Sequence, residues 1–300
     1  MASELNHRSL DVLLERYVYQ DSMTTALLTV LALIAFAANS IFARLALGEP
    51  SIDPASYTTV RLLTGAVTLW LIARFQQTDI SAPSDSSWAA AVMLFLYAAT
   101  FSFAYISLTT GTGALILFAA VQITMIAVGL YGGERPSTLH WLGLLIAITG
   151  LVYLVSPGVT APSAAGSLLM GAAGVAWGVY SLLGRGVTSP VHATAGNFLR
   201  TVPLTLALLL LSSSSIAITS EGFLWAVLSG SITSAVGYVI WYAALPRLAA
   251  ILAATIQLLV PALAALGGVV FLSEQITLRL ILSGTVIFTG VGLAIWSQKK

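Results

Sequence analysis

The side chains of this chain best suited to chemistry are rings and neutral amides set at helical spacing inside apolar runs. Tyr97, Phe101 and Tyr105 recur every fourth residue, and Phe118, Gln122, Met125 and Gly129 share one face of the next run. Trp177 and Tyr180 are neighbours at i,i+3, and Ser231, Ser234, Tyr238 and Trp241 line one face further on. Asn39 and Gln257 are amides with no local charge to serve. Residues three and four apart lie one above the other on a helix, so each set is a stripe. Singly, each residue is adequate as packing between helices. Together the stripes wall one central cavity, where rings bind apolar side chains and amides or hydroxyls bind an amino or carboxyl head. The chemistry predicted is recognition, not bond-making. Trp70, Trp88, Trp141, Trp225 and Trp296 are placed instead at membrane–water interfaces.

The reagents for catalysis are missing. The sequence has no Cys, which excludes disulfides, thiol nucleophiles and Cys-bound metals. Its only lysines are Lys299 and Lys300, so a phosphate-cradling Gly-Lys-Ser/Thr loop is excluded. His7, His140 and His192 form no His-Glu-x-x-His set. No catalytic residue, metal or cofactor is expected, and the chain is read as a non-enzyme.

Charges within the runs are few. Glu134 and Glu274 fall at the ends of runs, which suits capping or loop pairing. Arg61 and Arg200 lie deeper, where their stems snorkel or pair with carbonyls, or where one of them meets a substrate carboxylate. Pro203 and Pro261 each remove a backbone donor inside a run, freeing the carbonyls of Leu199 and Gln257, and are candidate bends. Gly174 and Gly178 permit close helix approach beside Trp177, a place for rocking motion.

The elements that must position these groups follow from composition. Hydrophobic residues make up 58 % and charged residues 8 %, with a mean hydropathy of +0.96. Soluble domains carry about 25 % charged residues. Lipid must therefore be the main solvent, and a net charge of +1 gives no reason for a nucleic-acid partner. Ten apolar runs are predicted as transmembrane helices, at 23–47, 54–77, 86–109, 111–131, 137–155, 165–185, 191–212, 221–245, 247–272 and 277–297. A helix of ~20 residues crosses a hydrocarbon core about 30 Å thick. Residues 1–22 form a polar cytoplasmic segment, with Leu10, Leu13, Leu14, Tyr17 and Val18 on one membrane-surface face. Ala35-Phe36-Ala37 offers cleavage-like spacing, but the run continues past it, so a retained helix is preferred. Arg8, Arg16, Arg74, Arg135, Arg185, Arg247 and both lysines collect on one side if both termini are cytoplasmic.

The chain also repeats itself. A run carrying Gln122, then Gly133-Glu134-Arg135, then Thr149-Gly150 is matched by a run carrying Gln257, then Ser273-Glu274-Gln275, then Thr289-Gly290. Glu274 and Glu134 differ by 274 − 134 = 140 positions, as do Thr289 and Thr149. Arg44 falls near Arg185, Arg61 near Arg200 and Tyr105 near Tyr242 at similar offsets. Five spans per unit is odd, so the units, 23–155 and 165–297, are expected to lie inverted. The expected fold is an all-α integral membrane protein of ten helices in two inverted five-helix repeats around a central cavity.

This arrangement resembles the drug/metabolite transporter superfamily, specifically its EamA-type ten-helix members. The resemblance rests on Glu134, Thr149, Gly150 and Glu274, Thr289, Gly290, with Pro261 thirteen residues before Glu274 and with Arg61, and covers about 24–297. Within that superfamily the chain is similar to bacterial aromatic amino acid exporters, through Trp177-Gly-Val-Tyr180 and Phe118. Ala120 stands where a second bulky ring is expected and Val121 where a proline is. The resemblance implies a basket-like, outward-opening cavity, export from the cytoplasm and a monomer in the inner membrane. The departures imply a wider choice of neutral amino acids. Transport of another solute class, such as sugar phosphates, nucleotide sugars or drugs, stays open, as does an intramembrane enzyme.

Overall fold

The computed structural model describes residues 2–48, 51–75, 85–155, 162–212, 216–275 and 277–297, with only the backbone described for 2–21. The predicted surface face of Leu10, Leu13, Leu14, Tyr17 and Val18 lies outside the described side chains, as do Lys299 and Lys300. The described residues are helical and form no strand. The helices are α1 (Ala2–Leu47), α2 (Pro54–Phe75), α3 (Trp88–Ala104), α4 (Thr110–Tyr131), α5 (Thr138–Val155) and α6 (Ala164–Gly184). They continue as α7 (Pro190–Leu211), α8 (Ser220–Leu228), α9 (Gly237–Ala244), α10 (Ala250–Gln257), α11 (Val260–Leu272) and α12 (Leu278–Trp296).

Among the described residues, six segments are long and apolar enough to cross a membrane: Ser22–Leu47, Thr110–Tyr131, Ala164–Gly184, Pro190–Leu211, Ser220–Arg247 and Ala250–Leu272. Trp88–Ala104, Thr138–Gly150 and Ile281–Ala294 are shorter apolar helices. Two predicted runs are not plain helices. Between α8 and α9 the chain is π-helical over Ser229–Val236. Between α10 and α11 it turns at Leu258 and Leu259, whose N–H groups reach back only three residues, to Thr255 and Ile256. Pro261 then sits in the first turn of α11, where a missing N–H costs nothing. The bend predicted at Gln257–Pro261 is thus a break.

Packing follows the small residues. α5 and α12 run together along their length, as do α3 with α6, α4 with α6 and α2 with α7. In the α5–α12 pair, a Cβ at Gly290 would stand 2.4 Å from the Gly143 carbonyl oxygen, and one at Gly150 would stand 2.9 Å from the Ser283 carbonyl oxygen. The glycines of both Thr-Gly motifs are therefore points of backbone contact. The neighbouring threonines bond their own helices, Thr149 to the Leu145 carbonyl and Thr289 to the Thr285 carbonyl. Gly290→Ala pushes against backbone that cannot rotate away. It is expected to cost about 1–3 kcal/mol, read as a lower Tm of the purified protein.

Loops are fastened by carboxylates. Asp53 accepts from the Ala55 and Ser56 N–H groups at the start of α2, and from the Ala217 N–H across the bundle end. Asp85 accepts from the N–H groups of Ser189 and Thr188 and from the Thr188 hydroxyl at the start of α7. Those bonds, the Ser189 N–H first, hold the exposed Asp85 carboxyl below its ordinary range. A depressed carboxylate stabilises the fold above its unfolded value and loses that contribution as pH falls through the folded one. The Tm gap between wild type and Asp85→Asn is therefore expected at pH 6 and should close as pH drops below about 4.

Candidate functional site

The stripes converge. Trp177 of α6 touches Phe36 of α1 (ring centroids 5.1 Å apart), Tyr97 of α3 (5.0 Å), Tyr180 (5.6 Å) and Tyr238 of α9 (4.6 Å). Phe36 also meets Phe118 of α4 at 6.4 Å and Trp241 of α9 at 5.6 Å. All of these rings are buried. Elements far apart in sequence thus deliver their aromatic faces to one cluster.

Polar groups thread it. The Trp177 indole N–H donates to Gln257 Oε1 at 2.9 Å, and Gln257 Nε2 donates to the Ala253 carbonyl at 3.1 Å. Gln257 is the last residue of α10, so the break sets its amide against Trp177. Trp241 donates to the Ser181 hydroxyl at 3.1 Å. Asn39 Nδ2 donates to the Tyr97 hydroxyl at 3.1 Å, while its Oδ1 accepts from Ser229 at 2.7 Å and Thr233 at 3.1 Å. The π-helical stretch explains those last two. Its wider turn carries Ser229, Thr233 and Ser234 into the buried face, whereas Ser231, chosen by a straight 3.6-residue count, is only half-buried.

At the centre of these polar groups is Arg61, two turns into α2 and 1 % exposed. Its Nε donates to Ser234 at 2.9 Å, and its Nη2 donates to the hydroxyls of Tyr97 at 3.1 Å and Tyr238 at 2.7 Å. The guanidinium carbon lies 5.1 Å from the Tyr97 ring centre and 5.0 Å from that of Phe101. Snorkelling does not describe this side chain. It is enclosed, and every hydrogen-bond partner is a neutral hydroxyl.

Other predicted residues fall elsewhere. Tyr105 caps the end of α3, and its hydroxyl donates to the Thr110 carbonyl at 3.2 Å. Gln122 is buried with neither amide atom bonded, and it lines a cavity of about 320 Å³ with Ile123, Ala147, Ile148 and Leu258. Pro261 lines a second cavity, of about 190 Å³, with Leu115, Leu266 and Phe288. Gly174 presses on α4, where a Cβ would stand 2.2 Å from the Leu117 carbonyl oxygen, and Gly178 packs on Thr124 of the same helix. Pro203 is on the exposed face of α7, away from the cluster. Arg200 bonds the Ser86 hydroxyl and the Gly196 carbonyl. Phe36 escaped the sequence reading because it sits between two alanines, and the other ring of its run, Phe42, lies six residues on and packs on Trp225 instead.

Two acidic clamps bracket the cluster. Glu274 Oε1 accepts from the Thr110 N–H at 3.0 Å and the Thr110 hydroxyl at 2.9 Å, at the start of α4, with Arg44 Nε 3.9 Å away. Glu134 accepts from the Ala250 N–H at 2.8 Å and the Ile251 N–H at 3.0 Å, at the start of α10, with Arg185 Nη1 3.5 Å away. Each arginine also holds a carbonyl: Arg44 that of Tyr105, Arg185 that of Leu248. A residue of positive φ precedes each glutamate, Gly133 at 89° and Ser273 at 54°. Glu134 follows α4 and caps α10; Glu274 follows α11 and caps α4. The two clamps are the same device at the two ends of the α4 and α10–α11 pair. An anion at a helix N-terminus meets free N–H groups and the positive end of the dipole.

The family model of EamA-like transporters matches this chain twice, over residues 23–156 and 164–296. The chain belongs to the EamA-like transporter family. It is therefore a multi-pass membrane transporter. It is 45 % identical over 269 residues to the uncharacterized protein PA1977 of Pseudomonas aeruginosa, covering 90 % of this chain and 93 % of that one. It is 23 % identical over 257 residues to the uncharacterized transporter YoaV of Bacillus subtilis, covering 81 % and 88 %. A crystal structure of a protein 22 % identical to it superposes with a TM-score of 0.68, over 89 % of this EamA-like transporter and 98 % of the other chain, which shows a shared fold.

Proposed function

We propose that this transporter exports small metabolites, neutral and aromatic amino acids first among them, from the cytoplasm by alternating access. The observation that carries the reading is the position of the buried ring-and-amide cluster between two matching Glu–Arg clamps. A clamp that opens at one end while the other holds gives access from one side at a time. The duplicated family match and the exchange of caps between Glu134 and Glu274 support ten spans in two inverted five-helix units, 23–155 and 165–297. The excess of basic residues on one side supports an inner-membrane protein with both termini in the cytoplasm. We take the working unit to be a monomer.

The test is efflux from liposomes preloaded with labelled amino acids, with a proton gradient imposed and then collapsed. Release of neutral or aromatic amino acids is the expected result. No release across the whole panel would sink the amino acid reading. A second reading, transport of sugar phosphates or similar anions, is favoured by the buried cation Arg61. Competition by sugar phosphates but not by amino acids would decide for it.

A further inference from the structure

We propose that Arg61 is the seat for a carboxylate of the transported solute. The proposal deepens the amino acid reading and rests on it. Arg61 is buried and cationic, and Ser234, Tyr97 and Tyr238 supply its three hydrogen bonds, all from neutral oxygens. Its Nη1 is buried with no partner among the described residues. The Tyr97 oxygen already accepts from Arg61 Nη2, from Asn39 Nδ2 and from the Tyr238 hydroxyl at 3.3 Å, so it has only a hydrogen left to offer. Among the described residues, the site therefore has donors in surplus and one positive charge without a counter-charge. A charge held in a membrane interior without a partner is costly and marks a solute pathway. What completes this site is an acceptor-rich group carrying one negative charge.

A carboxylate fits better than a phosphate dianion. Other arginines are committed elsewhere: Arg44 to Glu274, Arg185 to Glu134, Arg200 to Ser86 and the Gly196 carbonyl, Arg247 to the Ala243 carbonyl and Arg279 to the Tyr153 ring. One guanidinium balances one carboxylate, whose two oxygens can take the planar fork. The surroundings suit the remainder of an amino acid. Tyr97 and Tyr238, which bond Arg61, are also the rings that pack on Trp177. A carboxylate on Arg61 therefore places an apolar side chain against the ring cluster.

The test is ligand-induced stabilisation of the purified full-length protein in nanodiscs. The probes are L-leucine, L-phenylalanine, their primary amides, the corresponding decarboxylated amines, and inorganic phosphate. The expected result is that the free acids raise Tm and that amides and amines need about tenfold or more higher concentration, the worth of one charge-assisted pair. Arg61→Lys should keep the preference for acids at lower affinity, and Arg61→Gln should abolish it. If Arg61→Gln does not fold, the acid-against-amide comparison on the wild type decides alone. Equal stabilisation by acids and amides overturns the proposal, as does a lack of response to any acid, or stronger stabilisation by phosphate. Liposome flux separates the two readings. Flux that ignores the carboxylate overturns the Arg61 seat and leaves the exporter standing, whereas acid-selective binding with no flux keeps the seat and overturns export.

Discussion

Glu274→Gln is expected to open its end of the bundle, and Glu134→Gln the other, each by about 5- to 150-fold in the open-to-closed ratio. The size follows from what the carboxylates do. Glu274 takes two hydrogen bonds from Thr110, and Glu134 takes one each from Ala250 and Ile251. Hydrogen bonds to a charged group contribute about 1.5–3 kcal/mol, and a charge at a helix N-terminus adds up to about 2 kcal/mol when partly buried. Glutamine keeps one acceptor oxygen but loses the charge, and its NH₂ faces donors. A net loss of about 1–3 kcal/mol on the closed arrangement of one end is therefore expected.

The absence of cysteine makes this directly measurable, because any introduced thiol is the sole reporter. Ala114 on α4 and Ala254 on α10 are equivalent positions, 254 − 114 = 140 apart, each one turn inside a clamp and each 1 % exposed. In an Ala114→Cys background, Glu274→Gln should speed modification by a membrane-impermeant maleimide, and Glu134→Gln should slow it. In an Ala254→Cys background the order should reverse, with the reagent supplied from the opposite side. If both charge-neutral variants speed both reporters, the clamps hold the fold together and do not gate it.

How much of this was legible before the structure depends on the distance over which each residue acts. Helices are local, so apolar runs placed most of them, and the glutamates announced themselves by duplication. Arg61 did not. Its partners Tyr97, Ser234 and Tyr238 lie 36, 173 and 177 positions away, and no local pattern distinguishes an enclosed arginine from a snorkelling one. Ser229 and Thr233 were missed because the π-helical turn breaks the 3.6-residue count on which the stripe was drawn. Tyr105 was grouped with Tyr97 and Phe101 by spacing alone. Its ring does pack on Phe101, with centroids 4.7 Å apart, but α3 ends at Ala104 and the Tyr105 hydroxyl bonds the Thr110 carbonyl, so Tyr105 lies at the Glu274 end of the stripe. Pro203 and Pro261 look alike in sequence. One faces outward and the other begins α11, because only the second lies beside a break that its missing donor can serve.

Trp177→Ala is expected to lower transport more than it lowers the folded fraction. The indole is among the largest buried side chains, with four ring neighbours and a 2.9 Å bond to Gln257. Truncating a buried Trp costs about 3–5 kcal/mol in a well-packed interior, so the alanine variant alone confounds packing with recognition. Trp177→Phe separates them. It retains a ring between Phe36 and Tyr238 but removes the N–H, leaving Gln257 Oε1 buried without a donor at a cost of about 1–3 kcal/mol. If Trp177 positions the Gln257 amide for solute, Trp177→Phe should lower the Tm of the empty protein by only the few degrees that this lost bond implies, less than Trp177→Ala does, while its efflux falls several-fold through a raised KM. Gln257→Leu should give the same phenotype, and the double variant should be no worse than either, because both act through one bond. Matching losses in Tm and in efflux across the three variants would reduce Trp177 to a packing residue. The recognition role would then pass to the face that Tyr97, Phe101 and Tyr238 build around Arg61.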